Sequence, residues 1–182
     1  AAAAAVTERI GLLTSVLLGP LRPNGATLAK QTQSLHALSG GRFTLGIGLG
    51  GRADDYAAAG ADMSTRGDVM DELLSELKRV WDDSDIGPNN EGRPGLLVGG
   101  AVQASYDRVA RWGDGWIAGG APPDQFAEAA SAVKENWSAA GRDGARVRPP
   151  SRVFHRPPGR ASARPPRGED APLAADRFAR AP

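Results

Sequence analysis

The sequence predicts an α/β protein on a parallel sheet, about four βα units long, and three observations predict it. Four short apolar runs are near-continuous rather than alternating, as expected of strands covered on both faces. Each run is followed by a stretch with apolar residues at helical spacing. Each run also ends in glycine, at Gly19-Pro20, Gly50-Gly51, Gly99-Gly100 and Gly119-Gly120. This alternation requires right-handed crossovers in a sheet that is either doubly wound or closed as a barrel, and periodicity leaves both open.

The elements follow in order. The opening AAAAAVTER reads as the second half of an amphipathic helix with no cap before it, so the chain is expected to begin inside a fold. The first strand is Ile10–Leu18, followed by a helix over Ala26–Leu38 with Leu28, Leu35 and Leu38 on one side and a stop at Ser39-Gly40-Gly41. The second strand is Phe43–Leu49. Its helix covers roughly Thr65–Trp81, where Met70, Leu73, Leu74, Leu77 and Trp81 share a face, Ser64 is placed to cap, and Asp68, Asp71 and Glu72 suit the dipole. The third strand, Gly95–Val98, precedes a helix carrying Val102, Tyr106, Val109 and Ala110. The fourth, Gly115–Ala118, precedes a helix that starts at Pro122-Pro123 and carries Phe126, Ala130, Val133 and Trp137 before Gly141.

The charge is split along the chain. Residues 1–144 hold 13 Lys and Arg against 18 acids, whereas residues 145–182 hold nine Arg, no Lys, three acids and eight of the 14 prolines. Two domains are therefore expected: a βα body over 1–144, and an Arg/Pro-rich tail over 145–182 too poor in apolar residues to offset its ordering entropy. The tail shows no seventh strand and is expected to be disordered. Its abrupt start, with Pro and Arg rising together as GC-rich DNA read in another frame would give, suggests an out-of-frame origin. Its arginines would neutralise phosphates, but only Phe154 and Phe178 interleave with them, so nucleic acid is not an expected partner.

The absence of cysteine excludes disulfides, thiolate metal sites and cysteine nucleophiles, and fits a cytoplasmic protein. With His36 and His155 as the only histidines, no metal site is expected. The apolar start is interrupted by Glu8 and Arg9 and is too short for a signal peptide or a membrane span. Gly46-Ile47-Gly48-Leu49-Gly50-Gly51 matches GxGxxG after a strand, but no helix starts at once and no acid ends a following strand at the required distance. A dinucleotide fingerprint is therefore not supported.

The stretches AAAAAVTERIGLLTSVLLGPLRP, LAKQTQSLHALSGGRFTLGIGLGGRADDYAAAG, RGDVMDELLSELKRVW, GLLVGG and VARWGDGWI, in this order, resemble the luciferase-like flavin and deazaflavin oxidoreductases. The resemblance implies a partial (β/α)8 barrel, entered at the helix before the third strand and left after the sixth helix, that is, a truncated member with about four of eight units. It implies coenzyme F420 or FMN as cofactor, with the short link DDSDIGPNNEGRPG pointing to a reduced lid and the excess of Arg over Lys, 19 to 3, tilting toward the deazaflavin. The expected activity is hydride transfer to or from a small organic substrate. The alternative is a catalytically incomplete relative acting as a binding or partner subunit.

By the same resemblance, Ser15 and Val16 stand where relatives form a bulge with a non-prolyl cis peptide behind the flavin ring. Leu49 and Gly50 map onto the strand end that lines the cofactor. Val98, Gly99, Gly100, Gly119 and Gly120 map onto the turns that hold its ribityl-phosphate part. None of these transfers a proton, and no catalytic acid or base is assigned. His36 is expected between helices or at the surface, Asp114 in a turn, and Asp54-Asp55 in solvent. An open arc of barrel leaves unpaired edges, so self-association into a homo-oligomer is expected.

Overall fold

All four apolar runs enter one sheet, and every pairing in it is parallel. The structure is a computed structural model and describes residues 1–22, 24–83, 86–88, 91–119, 122–142 and 146–148. The first run is divided into β1 (Leu12–Leu13) and β2 (Leu17–Leu18), both paired with β3 (Phe43–Gly48). Next to β3 lies β4 (Gly95–Gly99), and next to β4 lies β5 (Gly115–Ile117). The predicted strands thus stand side by side in sequence order.

The sheet goes one strand further than predicted. β6 (Arg146–Arg148) pairs with β5, so the expectation that no strand follows residue 144 is corrected. Its sequence is not strand-like, but the free edge of β5 offers N–H and C=O groups that any extended backbone can satisfy. The expected disorder of the tail otherwise concerns residues 149–182, which lie outside the described residues.

Alternation along β3 sorts its side chains between two faces. Phe43, Leu45 and Ile47 enter the core with the helices, whereas Thr44, Gly46 and Gly48 face the other side. The helices are α1 (Ala2–Ala5), α2 (Gly25–Leu38), α3 (Ala53–Ala59), α4 (Arg66–Asp82), α5 (Gln103–Trp112) and α6 (Pro123–Ala139). Leu28 of α2, Leu74 of α4, Val109 of α5 and Val133 of α6 all join the same buried cluster as Leu96 and Trp116 of the sheet. Burying each such side chain contributes on the order of 1.5–3 kcal/mol.

Three local expectations are corrected. α2 does not bury Leu38, which is 58% exposed; it buries Thr32 and His36 instead. These polar groups can enter the core because they are satisfied locally. The Thr32 hydroxyl bonds the Leu28 and Ala29 carbonyls, and His36 Nδ1 lies 2.8 Å from the Phe43 carbonyl oxygen. Residues 53–59, where no helix is expected to follow the Gly-rich segment at once, form α3, with Asp54 and Asp55 in its first turn and Gly60 closing it at φ +65°. Ser64 does not cap α4; it lies in a single 3-10 turn (Met63–Thr65), whose start is capped by Asp62 accepting from the Ser64 N–H.

Two arginines organise the ends of the sheet away from its glycine turns. Arg42 donates to the carbonyls of Ala4, Thr7, Ile10 and Ser39 and so ties the N-terminal segment to the start of β3. Arg93 makes a two-pronged bond to Asp114 at 2.7 and 2.8 Å, and Asp114 also accepts from the Leu96 N–H at 2.8 Å. Asp114, expected to shape a turn, thus ties the segment before β5 to Arg93 and to the start of β4. Burial by itself pushes the Asp114 carboxyl upward, but the bonds from Arg93 and Leu96 outweigh it and hold the group below its ordinary value.

A depressed carboxylate stabilises the fold above its unfolded-state value, about 3.9, and loses that contribution as pH falls through the folded value. Asp114→Asn is therefore expected to cost about 2 kcal/mol at pH 7. In urea unfolding, the gap between the two proteins should narrow steadily once the pH is taken below about 4. A gap that is constant with pH would show that the charge on Asp114 is not what stabilises this junction.

Candidate functional site

Parallel strands end in the same direction, so the backbone groups at their carboxyl ends converge on one face of the sheet. A cavity of about 420 Å³ opens there. Its floor is Gly48, Gly99 and Ile117, the last residues of β3, β4 and β5. Ser15 and Val16 form one wall, and the loop from Gly100 to Val102 with Ser105 of α5 forms another.

Seven of the nine residues singled out from the sequence meet here: Ser15, Val16, Leu49, Gly50, Gly99, Gly100 and Gly119. Val98 does not. It is 1% exposed, and its side chain belongs to the core on the helix side of the sheet. A strand residue immediately before a site glycine points to the opposite face, and the period of two makes this unavoidable. Gly120 lies outside the described residues. The Ser15–Val16 peptide bond is cis.

The bulge and the inner glycines fit one another. Between Leu13 and Leu17 the chain takes four steps while β3 takes three, from Thr44 to Ile47, so one extra residue is accommodated. The displaced backbone lies over the inner face of β3, where a Cβ on Gly46 would come within 1.9 Å of the Thr14 carbonyl oxygen. A Cβ on Gly48 would lie 2.9 Å from Val16 Cγ2. The Gly-x-Gly of β3 thus gives room to the neighbouring chain and is no dinucleotide fingerprint.

Two of the loops that edge the cavity are held by side chains from elements later in the chain. Tyr56 of α3, 1% exposed, donates its hydroxyl to the Leu49 carbonyl. Burial pushes the Tyr56 phenol above its ordinary value, with Arg66 pulling in the opposite direction, so it remains a donor throughout the neutral range. Trp116 donates its indole N–H to the Gly100 carbonyl at 2.7 Å. Gly100 itself has φ +134°, and a Cβ there would lie 2.2 Å from Ser105 Oγ. A side chain at position 100 would therefore collide with α5, so the loop's own shape, and not only the approach of an anion, calls for glycine.

Residues 1–156 match the family model described as luciferase-like monooxygenase. The chain belongs to the luciferase-like monooxygenase family. It is similar to the uncharacterized protein Rv0953c of Mycobacterium tuberculosis, 33% identical over 160 residues that cover 79% of this chain and 56% of the relative. Monooxygenase RslO1 from Streptomyces bottropensis matches its structure with a TM-score of 0.71 at 26% identity, over 81% of this chain and 51% of that one. The fold is shared with an F420-dependent secondary alcohol dehydrogenase in complex with an F420-acetone adduct (TM-score 0.69, 17% identity, 81% of this chain and 50% of that one). It is shared too with the FMN-bound oxygenating constituent of 3,6-diketocamphane monooxygenase from Pseudomonas putida (TM-score 0.66, 20% identity, 80% and 50%). The chain spans about half the length of these relatives.

In this luciferase-like chain the cavity holds one ionisable side chain among its described lining residues, Arg66 at the start of α4. No sequence signal marks it, because an arginine opening an amphipathic helix looks like any solvated charge. Its donation to the Met63 carbonyl at 2.6 Å holds it beside the turn that precedes the helix. Ser105, buried in the first turn of α5, carries no sequence signal either. Asp54 pairs with Arg52 and is absent from the cavity lining, as is Asp55. His36 is committed to the β3 backbone and is likewise no part of the site. No cluster of metal-ligating side chains exists among the described residues.

The bond from α3 to the cavity edge generates a prediction. Tyr56→Phe keeps the buried ring but removes the donor to Leu49, and is expected to cost about 1 kcal/mol in urea unfolding. Cofactor-free amide exchange at Gly50 and Gly51 should accelerate in the same variant. Unchanged exchange there would show that α3 does not hold this edge.

Proposed function

We propose that this chain binds coenzyme F420 or FMN in the cavity at the carboxyl ends of the strands and belongs to an oxidoreductase that moves hydride to or from a small organic substrate. The observation that carries the reading is the coincidence, in one cavity, of open backbone turns, a single cation and a helix start. Arg66 supplies the charge, and α5 begins at the cavity with no side-chain cap, leaving the positive end of its dipole for an anion. Gly50 at φ +77° and Gly100 at φ +134° keep the walls to bare backbone, which allows a phosphate to approach closely. A volume of about 420 Å³ is within the range of small-molecule sites.

When bound, the cofactor ring would supply the hydride chemistry. The chain's own residues bind and orient. Arg66 and the α5 start favour the phosphate-bearing end, while Val16, Ile117 and Leu49 offer apolar surface to a flat ring. The described lining contains no carboxylate, imidazole, amine or phenol, so this wall holds no group able to exchange a proton near neutral pH. That absence favours a second reading in which the chain binds the cofactor without turning it over by itself, as a partner subunit. F420 is preferred over FMN on the arginine-rich composition alone.

Titration of the purified chain with F420, FMN and riboflavin, followed by ring fluorescence, tests the reading. Arg66→Ala is expected to weaken FMN roughly tenfold or more while leaving riboflavin, which has no phosphate, unchanged. Binding of none of the three, or an equal loss for FMN and riboflavin, would contradict it. Turnover alongside binding would discard the second reading.

The same reading includes self-association. β1 stands at one end of the strand order and has no strand on its outer side among the described residues, which leaves an edge open to another chain. Light scattering is expected to show species larger than a monomer that grow with concentration, and a monomer at every concentration would remove this part.

A further inference from the structure

Thr14 lies between β1 and β2, where the ladder with β3 is interrupted by the extra residue of the bulge. A bulge leaves partner backbone groups without their regular strand neighbours. Gly46 is the β3 residue facing that gap, and both of its backbone groups are satisfied by one side chain. The Thr14 hydroxyl donates to the Gly46 carbonyl at 2.8 Å and accepts from the Gly46 N–H at 2.9 Å. The hydroxyl therefore stands in for the missing backbone of a strand. Only a residue with both a donor and an acceptor on one short side-chain atom can do this, which restricts the position to threonine or serine.

We propose that Thr14 is the positioning residue of the cavity, its hydroxyl holding Ser15 and Val16 over the strand ends. The spacing supports this. Val16 Cγ1 lies 3.3 Å from where a Cβ on Gly99 would be, and Val16 Cγ2 lies 2.9 Å from the corresponding point on Gly48. Val16 thus fills the hollow left by two inner-face glycines, while remaining 36% exposed toward the cavity. With the Thr14 bonds in place, the Ser15-Val16 wall cannot slide along β3. Without them, Gly46 would turn to water and the wall would lose its register. The purpose of the wall rests on the cofactor reading above, but its mechanical dependence on Thr14 does not.

The experiment compares the full chain with Thr14→Val, which keeps the shape and loses the hydroxyl, and Thr14→Ser, which keeps the hydroxyl. Two readouts require no cofactor: amide exchange at Gly46, and the nuclear Overhauser contact between the Val16 methyls and the Gly99 α-protons. In Thr14→Val, Gly46 is expected to exchange about tenfold faster and the Val16–Gly99 contact to weaken, while Thr14→Ser matches the parent in both. Amides of α4, such as that of Leu74, should be unaffected, which separates a local release from general unfolding. Where the parent binds FMN or F420, Thr14→Val should bind it about tenfold more weakly and Thr14→Ser with parental affinity. Parental exchange and an intact Val16–Gly99 contact in Thr14→Val would overturn the proposal, as would equal disturbance by serine. If the parent binds neither cofactor, the cofactor reading fails, and the two cofactor-free readouts still decide the role of Thr14.

Discussion

The inner face of β3 has to be bare at Gly46 and Gly48, and most of the site's geometry follows from that constraint. A Cβ at position 46 would come within 1.9 Å of the Thr14 carbonyl oxygen, closer than any side chain can be tolerated. Because Gly46 and Gly48 leave that space, the chain between β1 and β2 can pass over the sheet instead of alongside it. The passage brings Ser15 and Val16 above the ends of β3 and β4, where they become a wall of the cavity. In an ordinary parallel sheet these positions would carry large apolar residues filling the interior. Here the interior is given up locally, and the packing lost on that side is balanced by a dense helix-side core around Leu45, Ile47, Leu74 and Trp116.

The second level of organisation is a set of carbonyl anchors. The carbonyls of Leu49 and Gly100 are each held by a buried aromatic donor, Tyr56 and Trp116, and the carbonyl of Gly46 by Thr14. Glycine-rich turns are the least rigid parts of a chain, since glycine loses most conformational freedom on ordering. Anchoring them from rigid elements lets a site be lined by backbone and still keep its shape. Such pre-organisation lowers the ordering cost that a ligand meets on binding. At the opposite end of the sheet, Arg42 and the Arg93–Asp114 pair tie together the segments that lead into the strands.

Most of the fold was legible because its signals are strong and local. Apolar runs such as Leu96-Leu97-Val98 have few alternatives to a buried strand, and Met70, Leu73, Leu74, Leu77 and Trp81 define a helix face without help from the tertiary structure. What escaped has physical causes. α3 is seven residues long, with Tyr56 as its single buried residue, too short for periodicity to rise above composition. β6 forms by pairing with an edge, which side-chain patterning does not encode. The bulge at Ser15-Val16 was placed through family resemblance, while the glycines that make room for it were first legible only as a motif with the wrong partner. Arg66 converges with Gly100 and Ser105 across a long sequence separation, and no spacing rule brings such residues together. Val98 illustrates the reverse error, where a residue adjacent in sequence to the site points away from it.

Cofactor binding at the strand ends would be seen by amide chemical-shift mapping of the full chain during titration with FMN and with F420. Saturable shifts are expected at Gly48 to Gly50, at Gly99 to Ser105 and at Val16, with little change at His36 or Asp114. Shifts confined to the neighbouring cavity of about 470 Å³ beside α6, lined by Glu128, Ala129 and Ala132, would contradict it, as would the absence of saturable shifts with either cofactor.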